Sequence, residues 1–148
     1  MSIAPSTSAN VKQAVPLFGV TNMEASLRFY VEGLGFKMKD SWIPDRAEDK
    51  PDGRIRWCWL ERGEAAIMFQ EFLADGRPKE PLGTGASIYF MCEDALALHG
   101  EFRARGIEGP RRPFVGNRLW VVPLTDPDGY RIFFQSPTDA PEETELEE

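Results

Sequence analysis

The sequence predicts an α+β fold, in which two tandem βαβββ modules form a curved eight-stranded mixed sheet with helices on its outer face. The order of strand, amphipathic helix and further strands occurs twice along the 148 residues, and each predicted helix ends at a glycine, Gly35 or Gly106. A connector rich in glycine and proline, residues 73–85, separates the two copies. Because one module leaves a sheet face uncovered, two adjacent modules are expected to form a trough.

The domain boundaries follow from this repeat. We expect a single domain over residues 14–137, made of modules 14–72 and 85–137. A flexible N-terminus, residues 1–13, precedes it. Residues 138–148 carry many acidic side chains and no basic one, which predicts an acidic disordered tail.

Local signals mark the elements of both modules. Asn22 is a predicted helix N-cap, and the glycines that follow the helices suit the left-handed conformation of a C′ residue. Apolar and alternating runs predict the strands. The predicted strands cover residues 14–20, 36–43, 54–60 and 65–72 in the first module, and 86–92, 118–125 and 130–137 in the second.

Composition excludes several classes of partner. The formal net charge of −7 argues against nucleic-acid binding, which needs clustered lysine and arginine. No run of apolar residues is long enough for a membrane span, and the first residues lack the features of a secretory signal. Cys58 and Cys92 lie in apolar runs, so free thiols and a cytoplasmic location are expected.

Two stretches together resemble a known family. "VTNMEASLRFYVEGLGF" (20–36) followed by "LTDPDGYRIFFQ" (124–135) is similar to the vicinal oxygen chelate superfamily. That family contains glyoxalase I, extradiol dioxygenases, fosfomycin-resistance transferases and bleomycin-resistance proteins. The opening "AVPLF" (14–18) resembles the first strand of the bleomycin-resistance branch.

The resemblance implies where a metal would be bound. Catalytic members hold a divalent metal with four side chains of the trough, and the corresponding positions here are Val15, Met68, Ser87 and Phe133. Valine and phenylalanine offer no ligand atom, and serine and methionine are poor ligands for the metals of such sites. The only histidine, His99, lies within a predicted helix. We therefore expect no catalytic residues, no metal and no cofactor.

Strand alternation predicts what lines the trough instead. A two-residue turn at Arg62-Gly63 would place Trp57 and Trp59 on the lining face, whereas a three-residue loop would reverse them. A bulged turn ending at Gly129 would point Trp120 away from the trough, whereas a plain two-residue turn would bring it in. The predicted ligand-binding residues are Trp57, Trp59, Met68, Gln70, Phe72, Ser87, Tyr89, Met91, Arg131, Phe133 and Gln135.

These residues predict a metal-free protein that binds a small organic molecule, in line with sequestration of an aromatic or amphipathic antibiotic. The trough edges favour a homodimer. The alternatives are a lyase, isomerase or dioxygenase with an atypical or absent metal site, and a non-catalytic dimeric regulatory or interaction module. The same aromatic pattern also suits a plain core. The sequence leaves open whether the modules pair within one chain or exchange between chains.

Overall fold

The structure, a computed structural model, describes residues 10–44, 53–73 and 75–148. The remaining part of the predicted flexible N-terminus, residues 1–9, lies outside the described residues. The first module contains β1 (Leu17–Val20), α1 (Met23–Leu27, continued by a π-helical segment, Arg28–Gly33), β2 (Lys37–Trp42), β3 (Trp57–Arg62) and β4 (Ala65–Glu71). The second contains β5 (Ser87–Met91), α2 (Ala95–Ala104), β6 (Phe114–Gly116), β7 (Leu119–Thr125) and β8 (Arg131–Pro137).

The fold class is confirmed, and the eight strands are divided between two four-stranded mixed sheets. Their strand orders are β1-β4-β3-β2 and β5-β8-β7-β6. In each sheet the first strand runs parallel to the last strand of its module, and the other pairs are antiparallel. The two modules therefore repeat one topology, as the sequence predicts.

The predicted N-cap at Asn22 and the predicted glycines after both helices are confirmed. The side chain of Asn22 accepts a hydrogen bond from the backbone N–H of Ala25 at 3.0 Å and begins α1. Asp94 does the same for Ala97 at 2.9 Å and begins α2. Gly35 and Gly106 follow the helices at φ 80° and 85°, a conformation that glycine adopts without a Cβ penalty.

The two modules share one hydrophobic core within the chain. Phe36 of the first module and Phe90 of the second contact each other with ring centroids 5.4 Å apart. The turn before β8 also packs on the first module, because Tyr30 donates a hydrogen bond to Asp126 at 2.9 Å and Tyr130 donates one to the carbonyl of Gly19 at 2.7 Å. Within one chain, the two modules therefore pack on each other through this core and this turn.

Two parts of the second module differ from prediction. Strand β6 lies between the predicted helix and the predicted strand 118–125, where no strand was predicted. It is joined to β7 by Asn117 and Arg118, both at positive φ. The acidic segment 138–148 is not disordered in this structure, because its backbone pairs with the free edge of β6. The backbone N–H of Val115 donates to the carbonyl of Thr144 at 2.8 Å, and that of Glu143 donates to the carbonyl of Val115 at 2.9 Å.

Neither of the helices that the structure describes is long and apolar enough to cross a membrane. Both cysteines are free, as predicted, with Cys58 buried and Cys92 half-buried. Burial raises the pKa of Cys58 to about 11, so this thiol stays protonated at neutral pH.

Candidate functional site

Sheet one presents an apolar face that points away from the core. Along β3 and β4, Cys58, Leu60, Ile67 and Phe69 are buried, so the alternate residues lie on the opposite side. We call this side the first face. Its members among the predicted residues are Trp57, Trp59, Met68 and Gln70. Phe72 follows β4 and its ring covers Gly19 so closely that a Cβ there would come within 2.2 Å of it.

The register of the first hairpin differs from prediction, although the face does not. An Arg62-Gly63 turn would pair Trp57 with Met68, but the structure pairs Trp59 with Met68 and Trp57 with Gln70. The turn lies one residue later, at Gly63 and Glu64, where Gly63 has φ 57°. Moving a two-residue turn by one position shifts the pairing by two residues. A shift of two preserves which side each indole occupies.

Sheet two presents a matching face, which we call the second face. It carries Ser87, Tyr89 and Met91 from β5, opposite Arg131, Phe133 and Gln135 from β8. The rings of Tyr89 and Phe133 are stacked, with centroids 4.6 Å apart and an interplanar angle of 13°. Tyr89 is 53% exposed and Met91 63% exposed. The stacked pair is thus an aromatic surface open to solvent.

The last hairpin follows the bulged alternative. Gly129 has φ 94°, and its N–H donates to the carbonyl of Asp126 at 3.0 Å. Phe133 pairs with Pro123, while Trp120 pairs with Ser136 and packs against the core. Trp120 is therefore excluded from the second face, as the bulged turn predicts.

The residues at the four family metal positions do not fit a metal. Met68 lies opposite Leu17, two residues beyond Val15, and Ser87 lies opposite Arg131 rather than Phe133. Within residues 10–44, 53–73 and 75–148, no group of three or more His, Cys, Asp or Glu side chains is arranged to hold a metal ion. If the metal positions are instead taken from the observed strand pairs, Leu17 replaces Val15 and Arg131 replaces Phe133. Neither leucine nor arginine supplies a metal ligand.

Charged side chains border the first face and were missing from the predicted set. The indole N–H of Trp59 donates to Glu61 at 2.9 Å, and Lys39 lies 3.3 Å from Glu61 and 5.4 Å from the Trp59 ring centroid. The hydrogen bond from Trp59 is the main cause that lowers the pKa of Glu61, and Lys39 adds to it against desolvation. A β-bulge between Met38 and Asp40 interrupts the alternation of β2, so sequence spacing did not place Lys39 here.

Glu71 is on the other side of the sheet. It is only 5% exposed, ion-paired with Arg54 at 2.9 Å and with Arg56, and it accepts a hydrogen bond from the N–H of Met23 at 2.7 Å. Its carboxylate thus satisfies a backbone N–H in the first turn of α1. Glu61 therefore borders the first face, whereas Glu71 does not.

An open cleft of about 370 Å³ lies where the two sheets approach each other. From sheet one it includes Ala66, and from sheet two it includes Ser87 and Tyr89. Of the predicted ligand-binding residues it contains Ser87 and Tyr89. The others are gathered on the two faces, in one group per sheet.

Solved structures with this fold include binding proteins. A bleomycin-binding protein complexed with bleomycin aligns at 20% identity and TM-score 0.61, covering 85% of this chain and 98% of that chain. The bleomycin-binding protein from Streptomyces verticillus complexed with copper(II)-bleomycin aligns at 18% identity and TM-score 0.61, covering 85% and 96%. TnmS3, an antibiotic binding protein from Streptomyces sp. CB03234, aligns at 23% identity and TM-score 0.57, covering 86% and 98%.

At these identities the structural likeness shows the fold alone. A comparison with curated proteins found no match. The family itself is shown by a sequence model described as the glyoxalase/bleomycin resistance protein/dioxygenase superfamily, which matches residues 12–134. This match agrees with the repeated topology described above. The chain belongs to the glyoxalase/bleomycin resistance protein/dioxygenase superfamily.

Proposed function

We propose that this protein binds a small, partly aromatic or amphipathic organic molecule without a metal, and that it does so as a homodimer. One observation carries the proposal: Tyr89, stacked on the half-buried Phe133, is exposed to solvent on the second face. Exposed aromatic surface of this kind favours flat ligands and partner surfaces. The bleomycin-binding and antibiotic-binding relatives support a ligand of the antibiotic class.

The polar groups on the two faces are few and spaced apart. Gln70 and Gln135 offer amide groups, and Arg131 offers a cation on the second face. A small number of polar groups on an apolar surface fixes the orientation of a bound molecule. The ligand-binding residues proposed from the sequence are retained for this role, with Lys39 and Glu61 added at the rim of the first face.

A second copy of the chain would cover surface that one chain leaves open. Leu17 is 54% exposed and Met91 63% exposed, on β1 and β5 respectively. Burying such side chains against a partner is favourable. This observation also favours the second candidate function, a dimeric interaction module that binds no ligand.

Tryptophan fluorescence separates the two candidates. Trp57 and Trp59 lie on the first face and Trp120 on the core side, so a ligand should quench the wild type and the Trp120→Phe variant alike. Trp42 pairs with Trp57 on the same side of the sheet and is 48% exposed, so it must be replaced as well. The triple variant Trp42→Phe, Trp57→Phe and Trp59→Phe should lose the quenching. A panel of aromatic antibiotics, including bleomycin, supplies the ligands, and sedimentation velocity measures the dimer.

Two results would contradict ligand binding. A stable dimer whose emission no compound alters, and which gives no heat of binding with the same compounds in isothermal titration calorimetry, would favour the interaction module. Stoichiometric transition metal in protein purified without chelator would favour the enzyme alternative.

A further inference from the structure

A second cleft, which shares no lining residue with the two faces, lies between α2 and the loop before β6. It has a volume of about 260 Å³ and is lined by His99, Arg103, Glu108, Arg111, Arg112 and Glu148. His99 and Arg103 are four residues apart on α2, so both side chains lie on one side of the helix. Besides His99, the lining has three arginines and two glutamates, Glu108 and Glu148.

The carboxylate of Glu148 lies in this cleft. One carboxylate oxygen is 2.6 Å from Nε2 of His99, and the other is 2.8 Å from Nη1 of Arg103. The side chains of Glu148 and His99 are 25% and 16% exposed. The contact from His99 is the main cause that lowers the pKa of Glu148, and Arg103 and Arg112 contribute through their charge. The cleft therefore holds a carboxylate by both oxygens.

Backbone pairing delivers this carboxylate to the cleft. The N–H of Leu146 donates to the carbonyl of Pro113 at 2.9 Å, next to the strand pairing of Glu143 and Thr144 with Val115. Residues 143–146 are thereby fixed along β6, which positions Glu148 over α2. A group tethered in this way competes with free ligands at an effective concentration on the order of millimolar.

The cationic charge of the cleft exceeds what one carboxylate neutralises. Arg111 is 3.3 Å from Glu145 and packs on the ring of Phe114. Arg112 lines the cleft, and among the residues that the structure describes it forms no ion pair. An anion with more than one charge would engage Arg112 as well as the two groups that hold Glu148, and arginine suits the oxygens of phosphate and carboxylate groups.

We propose that His99, Arg103 and Arg112 form a second binding site, for a small multivalent anion of the phosphate or carboxylate class, and that Glu148 occupies this site from within the chain. A free anion binds there by displacing the Glu148 side chain. The site is separate from the two apolar faces, so its occupancy does not depend on the organic ligand.

The test uses the single histidine of the chain, because its ring proton resonances report on this cleft without assignment. Inorganic phosphate is titrated into the wild type, Glu148→Gln and Glu147→Gln, with sodium chloride at matched ionic strength as the reference. Glu147→Gln is the matched control, since it removes the same charge from a neighbouring residue that does not line the cleft. We expect Glu148→Gln to bind phosphate about tenfold more tightly than Glu147→Gln, because the tethered competitor is absent.

A second variant keeps the proposal testable if Glu148→Gln alters the fold of the segment. Adding Arg112→Gln to Glu148→Gln should abolish saturation while leaving the far-UV circular dichroism unchanged. Citrate in place of phosphate distinguishes the ligands: saturation by both supports a general multivalent anion site, and saturation by phosphate alone supports a phosphate site. Equal responses of Glu148→Gln and Glu147→Gln, or shifts that never saturate, would overturn the proposal.

Discussion

The first and second faces lie on the corresponding sides of the two sheets, away from the core, yet they differ in how much of their aromatic surface is already engaged. On the first face, Trp59 is held by a hydrogen bond to Glu61 and lies near Lys39. On the second face, the Tyr89 ring contacts Phe133 and its outer surface is open. Since a side chain that is already engaged gains less on binding, we infer that the second face contributes more affinity and the first face more orientation.

The largest expected effect concerns Asp126, which links the turn before β8 to the first module. Asp126 accepts hydrogen bonds from Tyr30 and from the N–H groups of Asp128 and Tyr130. Asp126→Ala should lower the free energy of unfolding by about 3 kcal/mol, because buried donors lose their partner. Urea denaturation measures the loss. Asp126→Asn keeps an acceptor and should cost less; equal costs would show that the hydrogen bonds contribute little.

The next effect tests the comparison directly. Tyr89→Ala should weaken binding of a compound identified by fluorescence quenching about tenfold, which corresponds to losing about 1.4 kcal/mol of aromatic contact. Val11→Ala, which removes exposed apolar surface (Val11 is 79% exposed) ahead of the first strand, is the matched control. Isothermal titration calorimetry gives the affinities. A greater loss in Trp59→Ala than in Tyr89→Ala would reverse the assignment of roles.

A smaller effect is expected at the rim of the first face. Lys39→Met removes the cation near the Trp59 ring and should reduce stability by about 0.5 kcal/mol, the scale of an exposed cation–π contact. Thermal unfolding measures the change, and Lys37→Met on the same strand is the control. A loss of the same size in Lys37→Met would assign the effect to general charge instead.

The smallest expected effect is a pH dependence of the contact between Glu61 and Trp59 on the first face. The folded pKa of Glu61 is below its ordinary value of 4.5, so its contact with Trp59 stabilises the protein above that pH. The contact is lost as pH falls through the folded pKa. An acid titration of Trp59 emission, taken as wild type minus Trp59→Phe, should show a transition below pH 4.5 that is absent in Glu61→Gln. A transition that persists in Glu61→Gln would point to a different group.

The fold was predictable because its signals are local and repeated. The helix cap at Asn22 and the glycines after each helix mark the modules without tertiary information. The faces were predictable for a related reason, since alternation fixes the side of a strand even where the register is wrong by two residues. Trp57 and Trp59 therefore lie on the predicted side with different partners.

What the sequence did not reveal depends on contacts between distant residues. The acidic tail pairs with β6, a three-residue strand too short to show alternation. Lys39 reaches Trp59 through a bulge that spacing cannot locate. The pairing of Glu148 with His99 joins residues from separate elements, and composition alone favoured disorder for such an acidic segment.

The strand pairing of residues 143–146 also bears on how the protein avoids aggregation. The outer edge of a sheet offers unpaired backbone groups to any other extended chain. On sheet two, the chain's own backbone occupies that edge at Val115. On sheet one, the edge strand carries Lys37, Lys39 and a bulge, which discourage an incoming strand by charge and by shape. The β6 and β2 edges are thus protected from intermolecular growth, the first by a covering segment and the second by its own side chains.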